Sequence, residues 1–340
     1  MVRVRAKPSI ADVAAAAGVS PTTVSHVVSG RRPVHPDTAR RVWAAMRDLG
    51  YVPNHAAQSL ARGSTQTIGL VVADISSSYF AQLAKGVEDA ANDLGFSVLL
   101  MDTDWDAERE ARAIQQLVSG HTDGLIYGAG APLALARLRS LAGGKPLVIV
   151  DETIDGLEVP DVVSDNVEGG RLIGEHLATL GHTSALYVGG PQGLATSRER
   201  LSGFEKGLSM DGARDVRIWA EFANYQLEGG REAVGSALAH GANWTAVFAG
   251  NDLMAVGAIE ALLERGHRVP QDISVAGFDD APLVQHFRPR LTTIRQPARE
   301  MGRTAADTLI GAILRGSLLS RRRIVLGVQL VVGESTGPAM

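Results

Sequence analysis

Residues 9–30 read SIADVAAAAGVSPTTVSHVVSG, and this stretch decides the N-terminal fold. Ser9 suits a helix N-cap, Asp12 complements the positive end of the helix that follows, and Gly18 suits the left-handed residue that closes one. A second helix then opens, with Ser20 able to cap it and Pro21 fitting its first position. Ile10, Val13, Ala14, Val19, Val24 and Val28 are the apolar residues that two crossing helices must bury. A third helix opens at Pro36 and runs through DTARRVWAAMRDL to Gly50, with Val42, Ala45, Met46 and Leu49 on one face. Helix, glycine-containing turn, helix and a supporting third helix spell a helix-turn-helix unit. Thr22, Ser25, His26 and Ser29 face outward on the second helix and are small or polar enough to approach base edges.

Charge agrees with that reading. Residues 1–63 hold nine Lys and Arg against three acids, a balance of +6. The remaining 24 bases and 34 acids give −10, so only the head is suited to a polyanion. The plainer alternative is a solvated three-helix bundle, and the basic excess and polar exposed face argue against it. At 340 residues, 45% hydrophobic and 21% charged, the chain has the composition of a globular protein of two to three domains. With no cysteine, disulfides, thiolate metal sites and cysteine nucleophiles are excluded. No apolar run is long enough for a membrane span, and no continuous apolar core precedes Asp12 as a secretory leader requires. A cytoplasmic location is expected.

Beyond residue 63, short apolar runs alternate with amphipathic stretches. TIGLVVAD, FSVLLMD, DGLIYG, PLVIVD, SALYVGG, TAVFAG and SVAGFDD read as buried strands with helices between them. This alternation predicts doubly wound parallel sheets, two units in tandem, with a ligand cleft at the carboxyl ends of the strands. The polar residues at those ends are the pocket candidates: Asp74, Tyr79, Phe80, Asp151, Arg200, Asn251 and Asp279. They suit a polyhydroxylated ligand. Carboxylates accept from hydroxyls, arginine donates a fork, and an aromatic covers an apolar face. Taken singly, an Asp or Asn at a strand end serves equally well as a helix cap, and one of Asn251 and Asp252 is expected to do so.

No catalytic or metal chemistry stands out. DTDWD at 102–106 starts like a calcium loop, but Ala107 and Ala113 occupy the positions that need Gly and Glu. The histidines lack metal-ligand spacing, and no phosphate loop or nucleophile elbow is present. No cofactor, no metal and no enzymatic activity are expected.

The run SIADVAAAAGVSPTTVSHVVSG…RPVHPDTARRVWAAMRDLGYVPNHAAQSLARG resembles the head of the LacI/GalR family of bacterial repressors, and the resemblance continues through the body. It implies that Pro21, Thr22 and His26 touch bases, His26 standing where many members have Arg. It places Thr23, Ser25, Thr38, Tyr51 and Asn54 against phosphates and counts Ser9, Ser29 and Ala57 among the DNA-facing positions. Residues 54–63 correspond to a hinge helix that orders on DNA, a segment too short to be stable alone. Leu60 corresponds to the wedge inserted into the minor groove. Without the resemblance, Leu60 reads as a packing residue under a linker.

The body is expected to be like a periplasmic binding protein, with crossings between its lobes near Val163, Leu291 and Arg323. The implied domains are 1–53 (head), 54–63 (hinge), 64–163 with 292–323 (first lobe), and 164–291 with 324–340 (second lobe). Asp151, Arg200, Asn251 and Asp279 match effector-contacting positions, and Asn224 and Tyr225 stand, to within a residue or two, where sugar-responsive members often carry Trp or Phe; Asn224 is taken as the candidate. Leu194 replaces the Arg of the purine-responsive branch. The expected function is a homodimeric regulator, in the first instance a repressor. It binds near-palindromic operator DNA under control of a sugar or polyol. A nucleoside or purine effector, or a sugar-processing enzyme carrying a DNA-binding head, are the alternatives. No leucine heptad follows GESTGPAM, so a dimer rather than a larger assembly is expected.

Overall fold

The computed structural model describes residues 8–29, 32–52, 63–128, 130, 135–209, 215–241, 243–282 and 284–340. The chain divides into two units, Met1–Thr65 and Gln66–Met340.

In the head, α1 (Ile10–Ala17) opens with a reciprocal cap. The Asp12 N–H donates to Ser9 Oγ at 3.3 Å, and the Ser9 N–H donates to Asp12 Oδ2 at 2.8 Å. Gly18 closes it at φ 65°. In α2 (Pro21–Ser29) the Thr23 N–H donates to Ser20 Oγ at 3.1 Å. α3 (Pro36–Leu49) starts beneath His35, whose Nδ1 accepts from the Asp37 N–H, and ends at Gly50. Val13, Ala14, Ala17, Val24, Val42, Ala45 and Met46 form the core of the unit. Ile10 and Leu49, expected in that core, are instead 36% and 39% exposed. Each is the terminal residue of its helix, where the partner helices no longer cover it.

The body begins with β1 (Thr67–Val72), β2 (Ser97–Asp102), β3 (Gly124–Tyr127), β4 (Leu147–Val150) and β5 (Asp161–Ser164). It continues with β6 (Ser184–Gly189), β7 (Arg217–Phe222), β8 (Ala246–Ala249) and β9 (Ser274–Ala276). β10 (Thr293–Arg295), β11 (Arg323–Leu326) and β12 (Gln329–Val331) complete it. The first lobe is a six-stranded sheet in the order β11-β5-β4-β3-β1-β2, and the second is a four-stranded sheet in the order β7-β6-β8-β9. Every pairing in both sheets is parallel. Parallel pairing requires crossovers, and the covering helices bury β1, β3, β4, β6 and β8 almost completely, while the edge strands β2, β7 and β11 stay partly exposed. α4 (Ser78–Asp93) follows β1, α5 (Ala107–Val118) follows β2, and α6 (Leu135–Ala142) follows β3. α7 (Asn166–Thr179), α8 (Ala195–Leu208), α9 (Leu227–Ala239) and α10 (Asp252–Glu264) serve the second lobe, and α11 (Ala298–Arg315) returns to the first.

Glycines set how closely these helices approach. A Cβ on Gly86 of α4 would lie 1.9 Å from the Arg299 carbonyl oxygen in α11. One on Gly203 of α8 would lie 1.9 Å from the Val167 carbonyl oxygen in α7.

The lobe boundaries differ from the sequence reading. β5 carries the first sheet to Ser164, so the chain leaves at 164–165. Residues 293–295 pair antiparallel with β12, and Thr292 and Arg295 bridge to Ala276 and Asp279. The return to the first lobe therefore falls after Gln296, not near Leu291. β11 pairs with β5 in the first sheet, so the last passage falls between Leu326 and Gln329, not near Arg323. Strands of three or four residues carry no readable period of their own. Their partners decide where they belong, and the sequence shows no partners.

Candidate ligand cleft and nucleic-acid interface

Between the two lobes of the body lies a narrow cleft at the carboxyl ends of the strands, the place such sheets offer a ligand. Asp74, Tyr79, Phe80, Trp105 and Asp151 come to it from the first lobe, and Arg200, Tyr225, Asn251 and Asp279 from the second. The free space in the cleft is about 400 Å³, part of it open to solvent. The lobes are closed on each other.

Arg200 is the centre of the site. It projects from α8, is 3% exposed, and stacks on the Phe278 ring at 3.9 Å. Its Nη1 donates to the Gly250 carbonyl at 2.5 Å and its Nε to Asn166 Oδ1 at 2.8 Å. Burial works against its charge, but Tyr225, Asp279 and Asp151 around it hold the guanidinium protonated. Burial pushes the Asp279 carboxyl up to about 7, against the pull of Arg200 and of the Gln296 amide that donates to it at 2.7 Å. Asp151 is raised by burial in the same way, opposed by Arg200 and by the Tyr79 hydroxyl that donates to it at 2.5 Å.

Two hydrophilic latches hold the lobes together. Gln226 donates to Asp74 at 3.0 Å. Glu152, 2% exposed, receives the Ala195 N–H at 2.9 Å and the Thr196 N–H and hydroxyl at the start of α8. Within the second lobe, Gln296 holds Asp279. Burial first, and the nearby Asp151 second, push Glu152 up to about 8. Trp105 completes the closure: its ring meets Tyr225 across the cleft at 5.4 Å and Phe80 beside it at 6.1 Å.

The backbone is unusual at the same place. Seven described non-glycine residues have positive φ, and Trp105, Asp151, Tyr225 and Asp279, four of them, line the cleft. Such conformations cost about 1–3 kcal/mol each and persist where the surroundings over-determine them, which is commonly a functional site.

Seven of the eight cleft residues singled out from the sequence meet here: Asp74, Tyr79, Phe80, Asp151, Arg200, Asn251 and Asp279. Asn251 is also a cap, since its Oδ1 receives the Met254 N–H and its Nδ2 donates to the Tyr225 carbonyl, both at 2.9 Å. Asn224 is the exception. Its Oδ1 accepts from the Gln226 N–H in the turn before α9, and its neighbours Tyr225 and Gln226 face the cleft instead. The left-handed Tyr225 redirects the chain after β7, so the residue facing inward is displaced by one or two positions. Leu194 lies in the second-lobe core. Sequence reasoning missed Trp105, Thr196, Gln226 and Gln296 on the wall, and Glu152 behind it, and of the neighbours Asn224 and Tyr225 it chose the one that does not line the cleft. For Glu152 a signal existed: a charged residue close after the buried strand β4.

On the head, Pro21, Thr22 and Ser25 are exposed, and Thr23, His26 and Ser29 are partly so, around the buried Val24. Ser9 is exposed, but its hydroxyl is engaged with Asp12. Thr38 and Tyr51 are half-buried. Asn54, Ala57 and Leu60, with most of the hinge segment 54–63, lie outside the described residues.

A small helix-turn-helix unit joined to a two-lobed α/β body with a closed interlobe cleft defines a class: ligand-responsive DNA-binding regulators. Residues 9–54 match the bacterial regulatory proteins of the lacI family, and residues 175–336 match the periplasmic binding protein-like domain. The HTH-type transcriptional regulator DegA of Bacillus subtilis (strain 168) is 35% identical over 335 residues, 98% of this chain and 99% of that protein. The HTH-type transcriptional repressor PurR of Photobacterium profundum is 34% identical, covering 96% and 98%. The structure of the lac repressor dimer bound to operator and the anti-inducer ONPF superimposes with a TM-score of 0.85 at 30% identity, over 98% of this chain and all of that one. The chain belongs to the lacI family of bacterial regulatory proteins; it is a transcriptional regulator and not an enzyme. Among the described residues no helix is long and apolar enough to cross a membrane.

Proposed function

We propose that the protein is a cytoplasmic repressor that binds a near-palindromic operator as a homodimer, and that a sugar or related polyol in the cleft sets how tightly the operator is held. The observation that carries the ligand reading is Arg200. It is a permanently charged side chain between two carboxylates, on a wall of hydrogen-bonding groups and rings, which is the equipment for gripping hydroxyls and covering a sugar face. In the head, Pro21, Thr22 and His26 read bases, while Thr23, Ser25, Thr38, Tyr51 and Asn54 hold phosphates, and Ser9, Ser29 and Ala57 lie along the same face. Leu60 opens the central minor groove.

Ligand binding shifts the lobes between closed and open, which spaces the two hinge segments and so orders or melts them. A tenfold change in operator affinity requires only about 1.4 kcal/mol of coupling. A nucleobase effector is the second reading, favoured by the resemblance to the repressor PurR. Against it stands Leu194, whose side chain packs in the core where that reading wants a donor.

The test is selection of duplexes from a random pool with the full chain, followed by operator titrations with sugars, polyols and nucleobases. One enriched palindrome, with its affinity moved at least tenfold by a sugar or polyol, is expected. Failure to enrich any duplex overturns the DNA reading, and a response confined to nucleobases overturns the ligand reading. Leu60→Ala is expected to weaken the selected palindrome far more than unrelated DNA; equal losses exclude the wedge.

A further inference from the structure

Resting on the reading of the cleft as the ligand site, we propose that it is built for a small hydroxyl-bearing organic cation, an amino sugar or amino polyol, in preference to its uncharged counterpart. The charge inventory points there first. Asp74, Asp151 and Asp279 line the cleft, and Glu152 and Asp252 lie directly behind it; Arg200 is the one cation on the wall among the described residues. Two of the donors of Arg200 are committed to Gly250 and Asn166, and its face to Phe278. One guanidinium cannot balance this many buried acids. Burial, before anything else, pushes up the carboxyls of Asp151, Glu152, Asp252 and Asp279, whereas at Asp74 the hydrogen bonds from Ser76 and Gln226 outweigh burial and lower it. A bound ammonium supplies the missing positive charge.

A second, independent observation concerns Gln296. It is 6% exposed and lines the cleft, and its Nε2 is committed to Asp279. Its Oε1 is buried without a hydrogen-bond partner. That orientation is fixed by the acceptor it serves, which leaves a buried, unpartnered acceptor in the cleft wall near a carboxylate. An unsatisfied buried acceptor costs about 1–3 kcal/mol, which a donor-only group such as an ammonium relieves. The rings supply a third. Tyr79, Phe80, Trp105 and Tyr225 make a continuous aromatic wall with centroid separations of 5.2, 6.1 and 5.4 Å, and a cation is favoured over such faces. Trp105, on the same wall, has a buried Nε1–H without a partner, and a ligand hydroxyl is the acceptor we assign to it.

The experiment is isothermal titration calorimetry of the full chain at pH 7 with matched sets: glucosamine, glucose and glucuronate; galactosamine, galactose and galacturonate; and, separately, adenine and hypoxanthine. In at least one set the amine is expected to bind ten times more tightly than the neutral sugar, with the acid weakest. Asp279→Asn, or Asp74→Asn should the first variant not fold, is expected to cut that amine-over-hydroxyl ratio at least tenfold. A neutral sugar or acid binding as tightly as its amine overturns this inference and leaves the sugar reading intact. Binding of nucleobases alone, or of no member of any set, overturns both.

Discussion

A single side chain, Arg200, keeps the cleft electrically tolerable. Removing it leaves Asp151 and Asp279 facing each other without a cation, and breaking a buried pair from one side typically costs about 3–5 kcal/mol. Arg200→Ala is therefore expected to lower the unfolding temperature of the body markedly and to abolish the ligand response. A variant that melts like the parent and still responds would place the ligand elsewhere. Glu152 has a different part. Its carboxylate is the acceptor for two backbone N–H groups at the start of α8, so it joins the lobes without touching the cleft interior. Glu152→Ala leaves those donors buried and unpaired, at about 1–3 kcal/mol each. Its expected signature is faster hydrogen exchange at Ala195 and Thr196, which Glu152→Gln, retaining a carbonyl acceptor, reproduces only weakly.

At the scale of elements, the helices are specified by their ends and by their contacts, and the two can be tested separately. The reciprocal Ser9–Asp12 cap satisfies donors that α1 cannot satisfy itself, so Ser9→Ala is expected to cost the head about 1 kcal/mol. A melt of a head-specific probe checks this; an unchanged transition would mean that the packing of α1 alone fixes its start. Contacts govern α7 and α8, which touch backbone to backbone at Gly203. Gly203→Ala forces them apart and is expected to destabilise the second lobe by about 1–3 kcal/mol, read by denaturant unfolding. The capping signals of the head were legible because Ser9, Gly18, Ser20, Pro36 and Gly50 act on their immediate neighbours. The close approach at Gly203 was not, because a small residue in a helix gives no sign of what lies opposite.

For the whole molecule, closure carries a proton signature. Folded Glu152 titrates near 8 and Asp279 near 7, against ordinary values of 4.5 and 3.8. The folded chain thus keeps protons that the unfolded chain releases. The stability associated with these groups is fully present below about pH 4 and is lost as the pH rises through 7 and 8. His176 and His182 act in the opposite sense, because burial depresses them, but above about pH 7.5 they are neutral in both states. The unfolding temperature of the body is expected to fall as the pH rises to about 8 and to level off above it, and Glu152→Gln to flatten that fall. A flat parent profile would show that Glu152 is ionised in the folded state.

The sequence by itself determined the head, the alternation of strands and helices, the parallel sheets and most of the cleft acids. Each of these follows from local rules: caps, periodicity and the placement of polar residues at strand ends. Only the tertiary structure decided that Tyr225 rather than Asn224 faces the cleft, that residues 293–295 pair with the second lobe and 323–326 with the first, and that Glu152 and Gln226 clasp the lobes. Those outcomes depend on partners far away along the chain, and a chain read in one dimension contains the partners but not the distances between them.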